Sequence, residues 1–172
     1  PVQGAQAPRW VLLLSTNPGG FAGGSGMQYL VGDFDGRVFT PDEHGLRWFD
    51  HGPDMYAAVS FQGTEQPTVL GWMSNWAYAN ETPTRPWQSA MTLVRTLTLV
   101  SAGGRPVLRH TPVLPLQMPP GTHRVEFELR GAGEILVETG DGPTPSRFVL
   151  RRLDDGTLVM DRGAADPHGV HT

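Results

Sequence analysis

The chain has 172 residues, 38% hydrophobic and only 17% charged, with a formal net charge of −4 and no cysteine. That length buries a real core in one domain or two small ones, and the acidic balance without any Lys-rich run argues against a nucleic-acid or anionic-membrane partner. Its 22 Gly and 16 Pro, without a Gly-X-Y period, argue against long helices and for many short strands joined by turns.

Residues 1–8 are a small-residue lead-in. The chain opens on Pro1 with neither an initiator Met nor a signal-peptide pattern, which reads as a processed or truncated chain from which localisation is not read; between the two, an extracellular location is slightly favoured over a cytoplasmic one. Arg9–Ser15 is an apolar run that predicts a strand buried on both faces. Thr16–Gly26 holds five glycines and Pro18 and predicts a loop. Gln28–Phe34 and Arg37–Thr40 flank Asp35-Gly36, the signal for a hairpin closed by a two-residue type I′ turn. Leu46–Phe49 reads as a short edge strand. Asp50–Asp54 is a turn leading into the strand Met55–Phe61, where small Ala57 and Ala58 suit crowding on both faces. Thr68–Met73 is the next strand.

The stretch Gly71–Arg95 contains three of the five tryptophans, Trp72, Trp76 and Trp87, among two prolines and two asparagines. No single helix or strand reads through it. The indoles therefore either cap a core or are presented outward by a loop on a rigid scaffold. Met91–Val100 then alternates, with Leu93, Leu97 and Leu99 on one face, and predicts a half-buried strand.

A boundary is expected at Ser101–Gly104, since thirteen of the fifteen aromatics precede residue 88. It divides the chain into 1–100 and 101–172. Beyond a Pro-rich stretch at 105–120, four alternating strands are expected at His123–Arg130, Glu134–Thr139, Arg147–Leu153 and Thr157–Arg162, the last two joined by Asp154-Asp155-Gly156. The fold class is all-β. The first segment suits four-stranded propeller blades, about two of them, and the second suits part of a β-sandwich. Neither is complete by itself, so apolar edges should be left exposed.

Few residues suit bond-breaking chemistry. Of the histidines only His168 and His171 are close in sequence, a weak pair for a metal. No Gly-x-Ser-x-Gly elbow is present, and Gly23-Gly24-Ser25-Gly26 lacks the Lys-Ser/Thr ending of a phosphate loop. Asp33, Asp35, Asp50 and Asp54 fall near strand ends; Asp54, before the crowded Tyr56-Ala57-Ala58, either orders its own turn or points into a cavity. A glycosidase needs two positioned carboxyl groups, and no second one stands out. Aromatic rings beside amides and carboxylates do suit sugars, whose rings offer an apolar face to indole and hydroxyls to polar side chains. Asp54, Tyr56, Trp72, Asn75 and Trp76 have that mixture.

Phe49-Asp50-His51-Gly52-Pro53-Asp54-Met55-Tyr56-Ala57, Gly71-Trp72-Met73-Ser74-Asn75-Trp76-Ala77-Tyr78-Ala79, Pro83-Thr84-Arg85-Pro86-Trp87 and Ser89-Ala90-Met91 resemble successive motifs of glycoside hydrolase family 32, the β-fructosidases. Ser15-Thr16-Asn17-Pro18-Gly19-Gly20 and Gly24-Ser25-Gly26-Met27-Gln28-Tyr29 through Gly36 resemble its bacterial levanase and inulinase branch. The resemblance is close from Trp10 to Leu99, and weaker over Phe148–Arg162. It implies a five-bladed propeller followed by a β-sandwich, and retaining hydrolysis of terminal fructose from sucrose or fructans. It also implies that the nucleophile, acid/base and stabilising carboxylates lie upstream of Pro1, because the chain has no Asn-Asp-Pro, Arg-Asp-Pro or Glu-Cys. The chain would then hold the last two blades and the first part of the sandwich. No catalytic residue, metal or cofactor is expected in it; its partners would be fructose-containing sugars and the rest of the same propeller. Trp76, or else Trp72, would line the fructose pocket, with Asp54 and Tyr56 at the top of the last blade's inner strand. Met27, Met55 and Gln88 depart from the family's usual Thr, Phe and Arg. The alternative is a non-catalytic, lectin-like sugar-binding β-protein.

Overall fold

The structure, a computed structural model, describes residues 9–82, 84–113, 128, 130–139 and 146–161. It falls into two compact units, Pro1–Met118 and Pro119–Thr172. Every regular element described is a β-strand, as the density of glycine and proline dictates.

In the first unit, β1 (Trp10–Thr16), β2 (Gly26–Phe34), β3 (Phe39–Pro41) and β4 (Arg47–Trp48) make one antiparallel sheet. The long β2 is its spine, paired with β1 on one side and with β3 and then β4 on the other. Met27, Tyr29 and Val31 alternate along β2 onto the core face, each at most 4% exposed, the period-2 pattern of a half-buried strand. The second sheet has the order β5 (Tyr56–Ser60), β6 (Thr68–Trp72), β7 (Arg95–Ala102) and β8 (Arg105–Pro112). Val69, Leu97, Leu99 and Leu108 from this sheet meet the β2 residues, Phe49 and Met55 in one core. Burying side chains of this size stabilises by roughly 1.5–3 kcal/mol each, so this inter-sheet core outweighs any single polar contact in the unit. Polar links cross it as well. The Tyr29 hydroxyl accepts the Leu108 N–H at 3.2 Å, and Arg95 pairs with Asp50 at 2.7 Å.

The second unit contains β9 (Gly133–Thr139), β10 (Ser146–Arg152) and β11 (Leu158–Asp161), an antiparallel sheet with β10 in the middle. Glu134 stands opposite Arg151 and pairs with it at 2.6 Å. The β10–β11 turn places Gly156 at φ 85°, and the Asp155 carboxylate accepts the Thr157 N–H at 2.8 Å. Of the expected strand His123–Arg130 only residues 128 and 130 are described, neither of them in a strand, and the pair His168 and His171 lies outside the described residues.

Several expectations are corrected. The boundary placed at Ser101–Gly104 is the turn of the β7–β8 hairpin, which pairs continuously from Arg95↔Pro112 to Ala102↔Arg105; the division into compact units comes later, after Met118. Glycines at 103 and 104, with φ 58° and 77°, serve a tight reversal, and a reversal and a linker look alike in composition. β1 is buried on one face only: Val11 and Leu13 pack on the core, while Trp10 and Leu12 remain 40% and 39% exposed. Among the described residues β1 is an edge strand of its sheet.

The hairpin between β2 and β3 forms, but its turn is shifted by one residue. Asp35 N–H bonds to Val38 O, and the Asp35 carboxylate takes the N–H groups of Arg37 and Val38, both at 2.8 Å. Gly36 alone has positive φ (95°), whereas a type I′ turn needs positive φ at both central positions. Ala57 is exposed rather than crowded. Tyr56 pairs with Trp72 but Val59 with Leu70, so one extra residue bulges out and puts Ala57 at φ 49°. The strand expected from Met91 starts at Arg95 instead, leaving Leu93 55% exposed.

Candidate functional site

Tyr56 opens β5, and its register partner Trp72 closes β6, so both side chains stand at the same end of the second sheet. Their rings meet edge to face with centroids 6.3 Å apart. The chain leaves β6 through Met73 and Ser74 and folds into a tight turn, with the Tyr78 and Ala79 N–H groups on Asn75 O at 3.1 and 2.8 Å. This brings the Trp76 ring to 5.0 Å from Trp72 at a tilt of 56°. The two indoles form an open V, and Trp76 is 53% exposed. Asp54, half-buried two residues before Tyr56, accepts a hydrogen bond from the Tyr78 hydroxyl. An apolar face and a positioned carboxylate therefore stand together at one sheet end.

The tryptophan stretch is anchored at its base. Met91 bridges to Trp72, Met73 N–H donates to Ala90 O at 2.9 Å, and Thr92 N–H donates to Gly71 O at 2.9 Å. Thr92 Oγ1 in turn accepts the Gly71 N–H at 3.1 Å. Gln88 Nε2 ties the interior of the loop by donating to Ala79 O at 2.8 Å. Trp87 is 59% exposed and is not brought into contact with the other two indoles.

Asn75 is a correction at the residue level. It is 1% exposed, and its amide is taken up within the protein. Oδ1 accepts the N–H groups of Ser25 and Ala77 at 3.0 and 2.9 Å, while Nδ2 lies 3.1, 3.0 and 3.1 Å from the carbonyls of Gly23, Ser25 and Pro53. Two donors and two acceptor sites are all an amide has, so nothing is left for a sugar hydroxyl. Sequence reasoning also missed Tyr78, the partner of Asp54, and Ser25, whose Oγ accepts the Trp76 N–H at 3.1 Å. Their only signal was position: Tyr78 two residues after Trp76, and Ser25 between glycines that allow close backbone approach.

The methionines that depart from the family's pattern are buried in the core. Met27 is 1% exposed, and its Sδ accepts the Ala58 N–H that the β5 bulge leaves unpaired, at 3.3 Å. Met55 is equally buried, and its sulfur fills the space above Gly71.

The other carboxylates have structural partners. Asp50 binds Arg95 and the Gly52 N–H, Asp33 pairs with Arg9 at 3.5 Å, and Asp35 closes its turn, whose N–H groups lower its pKa. Asp50 and Arg95 border a second depression of about 610 Å³ that also takes in Trp48, His51 and His110. There His110 packs on Phe49 with ring centroids 4.4 Å apart. Burial, then the Arg95 charge, lower its pKa from 6.5 to about 4 against an opposing pull from Asp50. Among the described residues no three His, Cys, Asp or Glu side chains come together as metal ligands.

Two four-stranded antiparallel sheets that share one core, with aromatic rings and a carboxylate at the strand ends, belong to a partial β-propeller. Residues 1–112 match the family model described as Glycosyl hydrolases family 32 N-terminal domain, and the chain belongs to that family. It is 42% identical over 123 residues to an extracellular exo-inulinase of Meyerozyma guilliermondii, a match covering 70% of this chain and 23% of that protein. The exo-inulinase from Aspergillus awamori superposes with a TM-score of 0.76 at 26% identity, covering 99% of this chain and 41% of that one. The fructofuranosidase from Schwanniomyces occidentalis, solved with fructose, gives a TM-score of 0.67 at 34% identity, over 81% of this chain and 29% of that one. The chain thus spans about a quarter of the length of the curated relatives it matches (23% of the first).

Proposed function

We propose that this chain is part of a retaining β-fructosidase that releases terminal fructose from sucrose or fructans, and that it supplies a wall of the sugar pocket rather than the reacting carboxylates. The observation that carries this reading is the Trp72–Trp76 V beside Asp54, in a chain of a family whose relative has been solved with fructose. The apolar face of a furanose ring rests on the indoles, Tyr56 closes the floor, and Asp54, held by the Tyr78 hydroxyl, accepts a sugar hydroxyl. Retaining hydrolysis needs two carboxyl groups about 5–5.5 Å apart. Asp33, Asp35 and Asp50 are tied into ion pairs and a turn, which supports placing the nucleophile and acid/base in another part of the enzyme. The first compact unit is assigned to the propeller and the second to the start of a β-sandwich. An extracellular location is favoured, in line with the extracellular exo-inulinase it resembles.

The test has two arms. The purified 172-residue chain should release no fructose from sucrose, inulin or levan; release well above a blank would overturn the assignment of the carboxylates elsewhere. In the full-length enzyme, Trp76→Ala should raise KM for sucrose about tenfold, the scale of losing a ring stacked on a ligand. An unchanged KM removes Trp76 from the pocket. Saturable fructose binding by the 172-residue chain alone, abolished by Trp76→Ala, would favour the lectin-like alternative.

A further inference from the structure

We propose that Ser25 and Asn75 are positioning residues for Trp76, so that the Gly-rich loop of the first sheet sets the tilt of an indole carried by the second. The proposal rests on the reading of Trp72 and Trp76 as a sugar-binding wall. Trp76 is 53% exposed, and its ring centroid lies 5.0 Å from that of Trp72; that contact alone does not fix the indole's orientation. Its backbone is fixed instead. The Trp76 N–H donates to Ser25 Oγ at 3.1 Å, and the neighbouring Ala77 N–H donates to Asn75 Oδ1 at 2.9 Å. The same Asn75 amide grips Ser25 from both sides, through its N–H at 3.0 Å and its carbonyl at 3.0 Å.

Ser25 and Asn75 are each 1% exposed, so neither reaches a ligand and any effect they have passes through another group. Asn75 Nδ2 also lies 3.1 Å from Pro53 O, the carbonyl directly before Asp54. One buried amide therefore holds both the apolar wall and the residue that carries the carboxylate. Gly24 makes the approach possible: a Cβ there would lie 2.0 Å from Asn75 Oδ1 and 2.9 Å from the Ala77 Cβ. Stacking on a ring is sensitive to its tilt, and an indole fixed beforehand loses less freedom when the sugar binds.

In the full-length enzyme, Ser25→Ala removes the acceptor of the Trp76 N–H. KM for sucrose should rise about fivefold, the scale of one neutral hydrogen bond, with a smaller change in kcat. In a Trp76→Ala background the same substitution should raise KM no further, because there is no indole left to orient. Gly24→Ala displaces Asn75 from the opposite side and should also raise KM, with part of that rise lost in the Trp76→Ala background and the part that passes through Asp54 kept; it serves as the independent variant if Ser25→Ala does not fold. If Trp76→Ala itself leaves KM unchanged, the sugar-wall reading fails and takes this proposal with it. If Trp76→Ala raises KM while Ser25→Ala and Gly24→Ala do not, or if Ser25→Ala, or Gly24→Ala in its place, keeps its full effect in the Trp76→Ala background, the positioning role is overturned and the wall stands.

Discussion

His110 carries a pH dependence that belongs to a single side chain. It lies between Phe49 and the Arg95–Asp50 pair, with Arg95 Nη1 3.4 Å from its Nδ1, and its folded pKa is lowered from 6.5 to about 4. Between those two values the unfolded chain binds a proton that the folded chain refuses, so stability rises with pH across the window. This contribution is complete above pH 6.5 and is lost as pH falls toward 4. Denaturation midpoints at pH 7 and pH 5 should therefore fall less in His110→Gln than in the parent; an equal fall in both would show that other groups govern acid sensitivity here. Asn75 teaches a related lesson about legibility. In sequence it is an asparagine between two tryptophans, the composition of a sugar site. Its actual partners at Gly23 and Ser25 are 52 and 50 residues away, and no local pattern announces carbonyls brought in by the fold. Trp76, by contrast, stands exposed on a turn against Trp72, one of the two placements that the turn-rich stretch left open.

At the scale of strands, what could be read from sequence was which segments extend, and what could not was where each one slips. The Asp35-Gly36 signal locates the hairpin, but the Asp35 carboxylate captures the Val38 N–H at 2.8 Å, and that moves the turn by one residue. The bulge at Ala57 has no sequence mark, since alanine tolerates φ 49° only because the ladder on both sides imposes it. Glycine gives a sharper test of strand packing. A Cβ on Gly32 would lie 2.1 Å from Thr40 O and 2.9 Å from Pro41 Cα, both backbone atoms of the paired strand. A Cβ on Gly71 would instead meet the Met55 sulfur at 2.6 Å, the end of a flexible side chain. Gly32→Ala should thus destabilise by about 1–3 kcal/mol through overpacking, and Gly71→Ala by less, measured by chemical denaturation. The reverse order would mean that Met55 is the more rigid neighbour.

At the scale of the whole chain, β1 presents an unpaired edge among the described residues, with Trp10 and Leu12 about 40% exposed beside it. Its inner face, with Val11 and Leu13, borders an apolar trough of about 530 Å³ against Ala58, Val59 and Leu97. Such an edge templates pairing with another chain, so the 172-residue protein by itself should self-associate. Leu12→Lys should shift its light-scattering mass toward that of a single chain; no shift would place the association elsewhere. The two-segment reading of the sequence located the change in composition, yet β8 continues the first unit to Pro112 and buries Leu108 in its core. Aromatic content falls off where the core has already been filled, before its last strand is laid down.

The hydrogen bonds from Asn75 and Trp76 to residues 23–25 also limit how this architecture can be recombined. Exchanging β5–β8 between relatives as a cassette would transplant the tryptophans without the loop that holds them. A chimaera joined between β4 and β5 inherits an indole from one parent and its support from the other. Crossovers placed before Asn17 move both together, and those are the junctions at which the cleft should survive shuffling.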